Sequence, residues 1–288
     1  VHDGHAMRHV LDDAEVVPSA GTTPAPAPVA STTPTPTPTP APEKSTAATP
    51  TPTPAPEKTT AATPSPTPTP APEKTAASPA PAAGSGDYGV IKGKLVWGGS
   101  DIPAPKLLVK KGDSSVKDPQ VCAVTDLASQ ELVIGKDKGV QFGFAYLVNP
   151  SGTNPDAEKA LLDSASKVEF DQKNCEFIPH SLGVFAKQTV VIKSSDPVNH
   201  NVRYNAFENE GQNRSLPPNG EFSVQLKPER RPISVVCDIH PWMKGYMMVF
   251  GHPFFAVTGP DGSFEIKGVP AGTHKIVLWQ EKVGFVTA

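Results

Sequence analysis

Aromatic residues are missing from the first third of this 288-residue chain: none of its Phe, Tyr and Trp lies in residues 1 to 86, whereas 20 of its 35 prolines do. A segment of that composition cannot bury enough apolar surface to offset the entropy of ordering it, which excludes an N-terminal domain and predicts a disordered Pro/Thr/Ala-rich tail. Charge of one sign is missing too. Lys and Arg number 26 against 29 Asp and Glu, and residues 87 to 288 balance at 22 of each. Without a basic cluster there is no electrostatic footprint for a phosphate backbone, so a nucleic-acid partner is not expected. Nor does any stretch approach the roughly 18 consecutive apolar residues that a membrane span needs, so no transmembrane segment is expected in this chain. Cysteine is scarce, and three in about 200 globular residues do not make a disulfide-dense miniprotein.

What the tail contains is repetition. Residues 33 to 81 are essentially Thr-Pro and Ala-Pro dipeptides, punctuated by Ala-Pro-Glu-Lys at 41 to 44, 55 to 58 and 71 to 74. Alternate prolines fix φ and remove donors, favouring extended polyproline II, so some 50 residues would reach on the order of 150 Å. The stretch reads as a spacer or tether to an anchor or upstream domain. Such tracts resemble the linkers of secreted and cell-envelope proteins, which points to a periplasmic, cell-envelope or secreted location. The chain opens at Val1 with no charged and then apolar leader, which reads as a processed or partial start. His2, His5 and His9 lie in a short unpatterned stretch and are read as incidental.

After Gly84-Ser-Gly86 the texture changes to apolar runs of four to nine residues separated by Gly, Pro, Asn and Asp. Strands are predicted at 89–97, 106–109, 131–134, 140–148, 167–170, 189–192, 201–207, 221–226, 233–237, 246–250, 254–257, 263–266 and 275–279. Residues 155 to 164 alone read as a helix, capped by Asn154 with Asp156 and Glu158 in the first turn. Many short strands without βα alternation predict an all-β fold, a Greek-key β-sandwich.

One segment carries chemistry. In Ile233-Ser-Val-Val-Cys237-Asp-Ile-His240-Pro-Trp-Met243 a β run ends at a cysteine, with a histidine three residues on and a methionine six on. His200, in Asp196-Pro-Val-Asn-His200-Asn201, offers a second imidazole 37 residues earlier. Soft sulfur with two imidazoles selects copper, and two His, one Cys and a weak axial Met form the blue-copper electron-transfer set. Taken alone, Cys-x-x-His reads equally well as half a zinc knuckle or a buried thiol. Together these residues resemble the cupredoxins over roughly residues 165 to 251, with a compact Cys-x-x-His-x-x-Met loop most similar to the amicyanin type. Plastocyanin-like loops place the methionine two residues later, where this chain has Gly245. His200-Asn201 and Phe177-Ile-Pro179 match further family features.

The resemblance implies one type 1 copper held by His200, Cys237 and His240 with Met243 axial, while Met247 and Met248 belong to the core of the next strand. It implies that Asn201 ties the His200 loop to the cysteine loop. It also implies that the edge of His240 reaches the surface, where Pro241 and Trp242 form an apolar docking patch for a transient redox protein partner. With Cys237 assigned to copper, Cys122 and Cys175 read as a disulfide in an exported protein, the alternative being two buried thiols. His180 reads as structural, with a further ligand or a proton site as alternatives, and His252 and His274 receive no role.

Residues 254 to 266, the Gly268-Val-Pro-Ala-Gly272 turn and residues 274 to 279 resemble the carboxypeptidase regulatory-like β-sandwich, with a hairpin turn at Asp261-Gly262. Residues 89 to 97, followed by Pro103-Ala-Pro105, resemble the first strand of that family and the turn after it. The expected organisation is therefore a linker at 1–86, a regulatory-like module made of 87–112 plus 253–288 and lacking a final strand, and a copper domain at 113–252 inserted between its halves. The functional reading is an exported one-electron carrier. No His-x-His pair, which multicopper oxidases and copper nitrite reductases use for further centres, occurs in the chain, so no enzyme activity is expected. The rival reading is a non-redox copper-binding or adhesive module of the cell envelope.

Overall fold

The computed structural model describes residues 8–10 and 88–286. The Ala-Pro-Glu-Lys repeats, His2 and His5 lie outside the described residues.

The described chain is all-β, and the copper-loop residues sit in a sandwich of two sheets. One sheet runs in the order Gln212–Leu216, His200–Tyr204, Ile233–Val236, Lys244–Phe250 and Ser181–Phe185. The other runs Glu221–Gln225, Thr189–Ser194, Lys167–Lys173 and Glu176–Ile178. Both contribute to one core, which includes Phe170, Ile192, Val202, Tyr204, Val235 and Met247. Each sheet contains one parallel pair, Ser181–Phe185 with Lys244–Phe250 and Lys167–Lys173 with Thr189–Ser194.

Lys244–Phe250 explains its own sequence. Side chains alternate across a strand, and here both faces are covered. Met247 and Val249 enter the first core, while Tyr246, Met248 and Phe250 pack with Phe144 and Trp279 in a third cluster. A near-continuous apolar run is the sequence of such a strand. Gly245 opens it where a Cβ would stand 2.9 Å from Phe170 and 3.0 Å from the His180 carbonyl oxygen, so no larger residue fits without displacing backbone.

The remaining strands form three further sheets: Leu107–Val109 pairs with Leu127–Ala128 beside the first core, and the other two sheets surround a second core of Leu95, Trp97, Leu147, Phe254, Ile266 and Leu278 among others. Tyr88–Val96 pairs antiparallel with Ser263–Pro270, and Phe144–Val148 lies between Phe255–Val257 and Lys275–Gln280, which also pairs with Gly284–Val286. The sheets cross the expected domain limits in two places. Phe144–Val148, inside segment 113–252, bonds to the C-terminal strands, and Val109, from segment 87–112, packs in the first core.

The helix Pro155–Ser164 has the expected limits, and the Asn154 side chain accepts the Ala157 N–H at 3.0 Å. Other expectations need correction. Residues 131–134 form no strand beyond a single bridge of Ile134 to Val140, and the strand expected from 140 starts at Phe144 because Phe142 adopts φ 67°, through which a strand cannot continue. Gln212–Leu216 is polar and largely exposed, hence invisible to a hydrophobic pattern. Inside the tail, Arg8–Val10 pairs with Lys94, Leu95 and Val96, as an open sheet edge permits.

Candidate metal centre

Three antiparallel neighbours build the site. His200–Tyr204 pairs with Ile233–Val236 through Arg203 opposite Val236, and Ile233–Val236 pairs with Lys244–Phe250 through Val236 opposite Lys244. The loop between the latter two closes on itself. The Cys237 N–H donates to the Met243 carbonyl at 3.3 Å and the Met243 N–H to the His240 carbonyl at 2.9 Å. His200 begins its strand beside that loop, so residues 37 positions apart meet.

They meet at their donor atoms. Cys237 Sγ lies 3.8 Å from His200 Nδ1 and 3.7 Å from His240 Nδ1, and the two nitrogens are 3.0 Å apart. The point equidistant from the corners of such a triangle lies about 2 Å from each, which is the bond length of a transition metal to imidazole nitrogen. All three residues are buried. Met243 is buried in the same core cluster as Cys237, on the loop that the cysteine opens. The donor set present therefore fits a soft-ligand metal such as copper.

The remote nitrogens are occupied. His200 Nε2 bonds to Asp196 Oδ2 at 3.0 Å and His240 Nε2 to Asp118 Oδ2 at 3.1 Å. A carboxylate on the far nitrogen holds an N–H there, so that loss of the Nδ1 proton when a metal binds would leave the lone pair facing the sulfur. Asp196 also accepts the N–H groups of Asn174 and Cys175, at 2.6 and 2.8 Å. Burial by itself pushes the Asp196 carboxyl up, but these bonds outweigh it and hold it below the usual range.

The same competition sets the ligands. Burial pushes the Cys237 thiol up, yet His200, His240 and the Asn201 N–H at 3.5 Å more than reverse it and bring it down to about 6. Burial pushes His200 down, and Asp196 with Cys237 raises it to about 9. Both shifts act in the direction of a Cys237 thiolate beside a protonated His200 in the metal-free protein.

Asn201 joins the two loops. Its Oδ1 accepts from the Asp238 and Ile239 N–H groups at 2.6 and 3.3 Å, and its Nδ2 donates to Asp238 Oδ2 and Asn213 Oδ1. Cys122 and Cys175 form a disulfide. His180 is apart from the triangle and bonds Glu281 at 2.7 Å, while His252 and His274 bond the backbone carbonyls of Leu147 and Pro270.

The expected exposure of the His240 edge is corrected. The ring is fully buried, because the segment carrying Asp118 lies over its Nε2. Pro241 is exposed, and Trp242 is half-buried with its indole N–H donating to the Cys175 carbonyl at 3.2 Å. Sequence reading assigned no role to Asp118 or Asp196. Asp196 carried a signal, four residues before His200, whereas Asp118 stands 122 residues from His240 and carried none.

No family model matches the chain, and no curated protein matches it. Several solved structures are similar to parts of it. A Cu-containing nitrite reductase from Thermus scotoductus is 21% identical over 29% of this chain and 22% of that one, with a TM-score of 0.27, so the chain spans about a fifth of its length. A purple cupredoxin from Nitrosopumilus maritimus is 20% identical over 29% of this chain and 98% of that one, with a TM-score of 0.25. Amicyanin from Paracoccus versutus is 14% identical over 30% of this chain and 89% of that one, with a TM-score of 0.26.

Proposed function

We propose that the chain is an exported type 1 copper protein that carries one electron at a time, with His200, Cys237 and His240 as equatorial ligands and Met243 as the axial one. The observation that carries this reading is the buried triangle of Nδ1, Nδ1 and Sγ, sized for one ion. Bound copper would supply a one-electron couple. The chain's own residues supply the conditions for it. Cys237 is poised as a thiolate, Asp196 and Asp118 fix the tautomer and orientation of both rings, and Asn201 fixes the spacing of the two loops. A site held this firmly from outside suits both oxidation states with little rearrangement. Carboxylates are close by, but they bond the far nitrogens rather than offering a fourth ligand, which favours copper over a closed tetrahedral zinc site.

Exposed Pro241 and half-buried Trp242 directly follow His240, and that patch is the proposed contact for a transient redox partner. The Cys122–Cys175 disulfide agrees with an oxidising, exported location, as does the proline-rich tether. Pairing of Tyr88–Val96 with Ser263–Pro270 supports a second module assembled from both sides of the copper domain.

The test is to add one equivalent of Cu(II) to the full chain and to the Cys237→Ser variant and record visible and electron paramagnetic resonance spectra. An intense thiolate-to-copper band with narrow copper hyperfine splitting, lost in the variant, is the expected result. A colourless wild type, or spectra that the substitution leaves unchanged, overturns the proposal and leaves the adhesive-module reading in its place.

A further inference from the structure

The disulfide lies against the metal centre. Sγ of Cys122, Sγ of Cys175 and a ring nitrogen of His240 all lie within 4.8 Å of one another, and so do Cys175 Sγ, an Asp196 oxygen and a His200 nitrogen. Both ligand imidazoles thus have a disulfide sulfur beside them as well as the Cys237 thiolate. We propose that reduction of this disulfide creates a second metal site, formed by Cys122, Cys175 and His240, that takes Cu(I). Two thiolates and an imidazole are a soft donor set, which selects a soft monovalent ion over hard cations.

The S–S bond is not what holds the two sulfurs in place. Cys122 ends the short helix Pro119–Cys122, and its N–H donates to the Asp118 carbonyl at 2.9 Å, while the Asp118 carboxylate bonds His240. The next residue, Ala123, accepts the Gly112 N–H at 2.8 Å. On the other side, Asn174 and Cys175 form a turn with φ of 56° and 57°, and both donate their N–H groups to Asp196, the carboxylate that orients His200. The Trp242 indole bonds the Cys175 carbonyl. None of these bonds runs through the S–S linkage, so they would hold the two thiols facing His240 after cleavage.

An approach exists. Cys175 forms part of the wall of a cavity of about 210 Å³, together with Leu127, Phe177, Pro241 and Trp242. The reductant is of the small-thiol or phosphine class. With a thiol, two molecules give up two electrons and two protons, the S–S bond breaks, two protein thiols form and the reductant leaves as its own disulfide. Cu(I) then displaces the two thiol protons. The ligands of this second site stand on their own. Its role as an intake point that shares His240 with the first site rests on the copper reading above.

The test uses the full chain carrying Cys237→Ser, which removes the sulfur of the first site. One sample keeps the disulfide and one is reduced anaerobically with a phosphine and desalted, and Cu(I) is titrated into each against a chromogenic chelator. The reduced sample is expected to hold one equivalent about 100-fold more tightly than the disulfide sample, with two sulfurs around copper by X-ray absorption. The variant that also carries Cys122→Ser and Cys175→Ser is expected to lose that binding. Equal affinity in the two samples, or fewer than two sulfurs at the metal, overturns the proposal. So does loss of the β circular-dichroism signal on reduction that Cu(I) fails to restore. The two readings fail separately. Reduced Cys237→Ser that binds Cu(I) while wild type stays colourless with Cu(II) overturns the type 1 reading alone, and a blue wild type without that Cu(I) overturns this one alone.

Discussion

Among the described residues three buried histidines have carboxylate partners, and two of them, His200 and His240, sit at the candidate metal centre while His180 does not. His200 bonds Asp196 at 3.0 Å and His180 bonds Glu281 at 2.7 Å, both with side chains almost out of solvent. The difference is what the rest of each ring faces. His200 turns Nδ1 toward Cys237 and His240. His180 lies near the rings of Phe142 and Tyr246, and the second oxygen of its partner Glu281 is taken by Lys244 at 2.9 Å. Glu281 follows the strand Lys275–Gln280, whereas His180 directly precedes Ser181–Phe185 and Lys244 opens Lys244–Phe250, so the second cluster is a clasp between the sheets. A carboxylate on a buried imidazole is thus common to a ligand and a fastener. The neighbour of the other ring atoms separates them.

The comparison breaks most directly at the ligand. His200→Ala is expected to abolish the thiolate-to-copper band and weaken copper binding by roughly 100-fold or more, measured by chelator competition, whereas His180→Gln leaves band and affinity unchanged. Next in size is the clasp. Glu281→Ala strands the buried His180 and is expected to cost about 3 kcal/mol in urea unfolding, with the copper spectrum intact. Asp196→Asn should act in the opposite sense, lowering copper affinity about 10- to 100-fold. In the metal-free protein, the same substitution should raise the Cys237 midpoint from about 6, read as ultraviolet thiolate absorbance, because a less basic His200 no longer favours the thiolate.

The clasp also has a pH signature. Burial pushes the Glu281 carboxyl up, but His180 and Lys244 outweigh it and hold it below its ordinary 4.5. A depressed folded value means that its stabilisation is complete above the unfolded value and is lost as pH falls through the folded one. Unfolding midpoints between pH 7 and pH 3 should therefore converge for wild type and Glu281→Gln at the acid end. The smallest effect is expected from Asn201→Ala, about 1 to 2 kcal/mol in stability with a broadened copper hyperfine pattern, since the two loops lose their amide bridge.

Much of the centre was legible because its signals are local. Cys237, His240 and Met243 share one loop, and the strand ahead of it is a plain alternating β run. The helix at 155–164 was legible for the same reason, since Asn154 and the two acids after it are a local cap. What escaped reading depended on partners far along the chain. Gln212–Leu216 is polar and is a strand because His200–Tyr204 supplies the other half of its ladder. Phe144–Val148 belongs with the C-terminal strands through pairings that no spacing encodes.

By itself the sequence determined the all-β character, the aromatic-free tail that cannot form a core, and the residue types of the ligand set, because composition, alternation and a seven-residue loop act over short distances. Tertiary structure alone decided that Asp118 covers His240 and that Asp196 serves His200 and the Cys175 turn at once. It also decided that the disulfide rests beside both imidazoles and that His180 is a clasp. Each of these is a contact between polar groups brought out of water together. The free energy of such a contact depends on burial and on the partner's position, neither of which a residue carries in its own name.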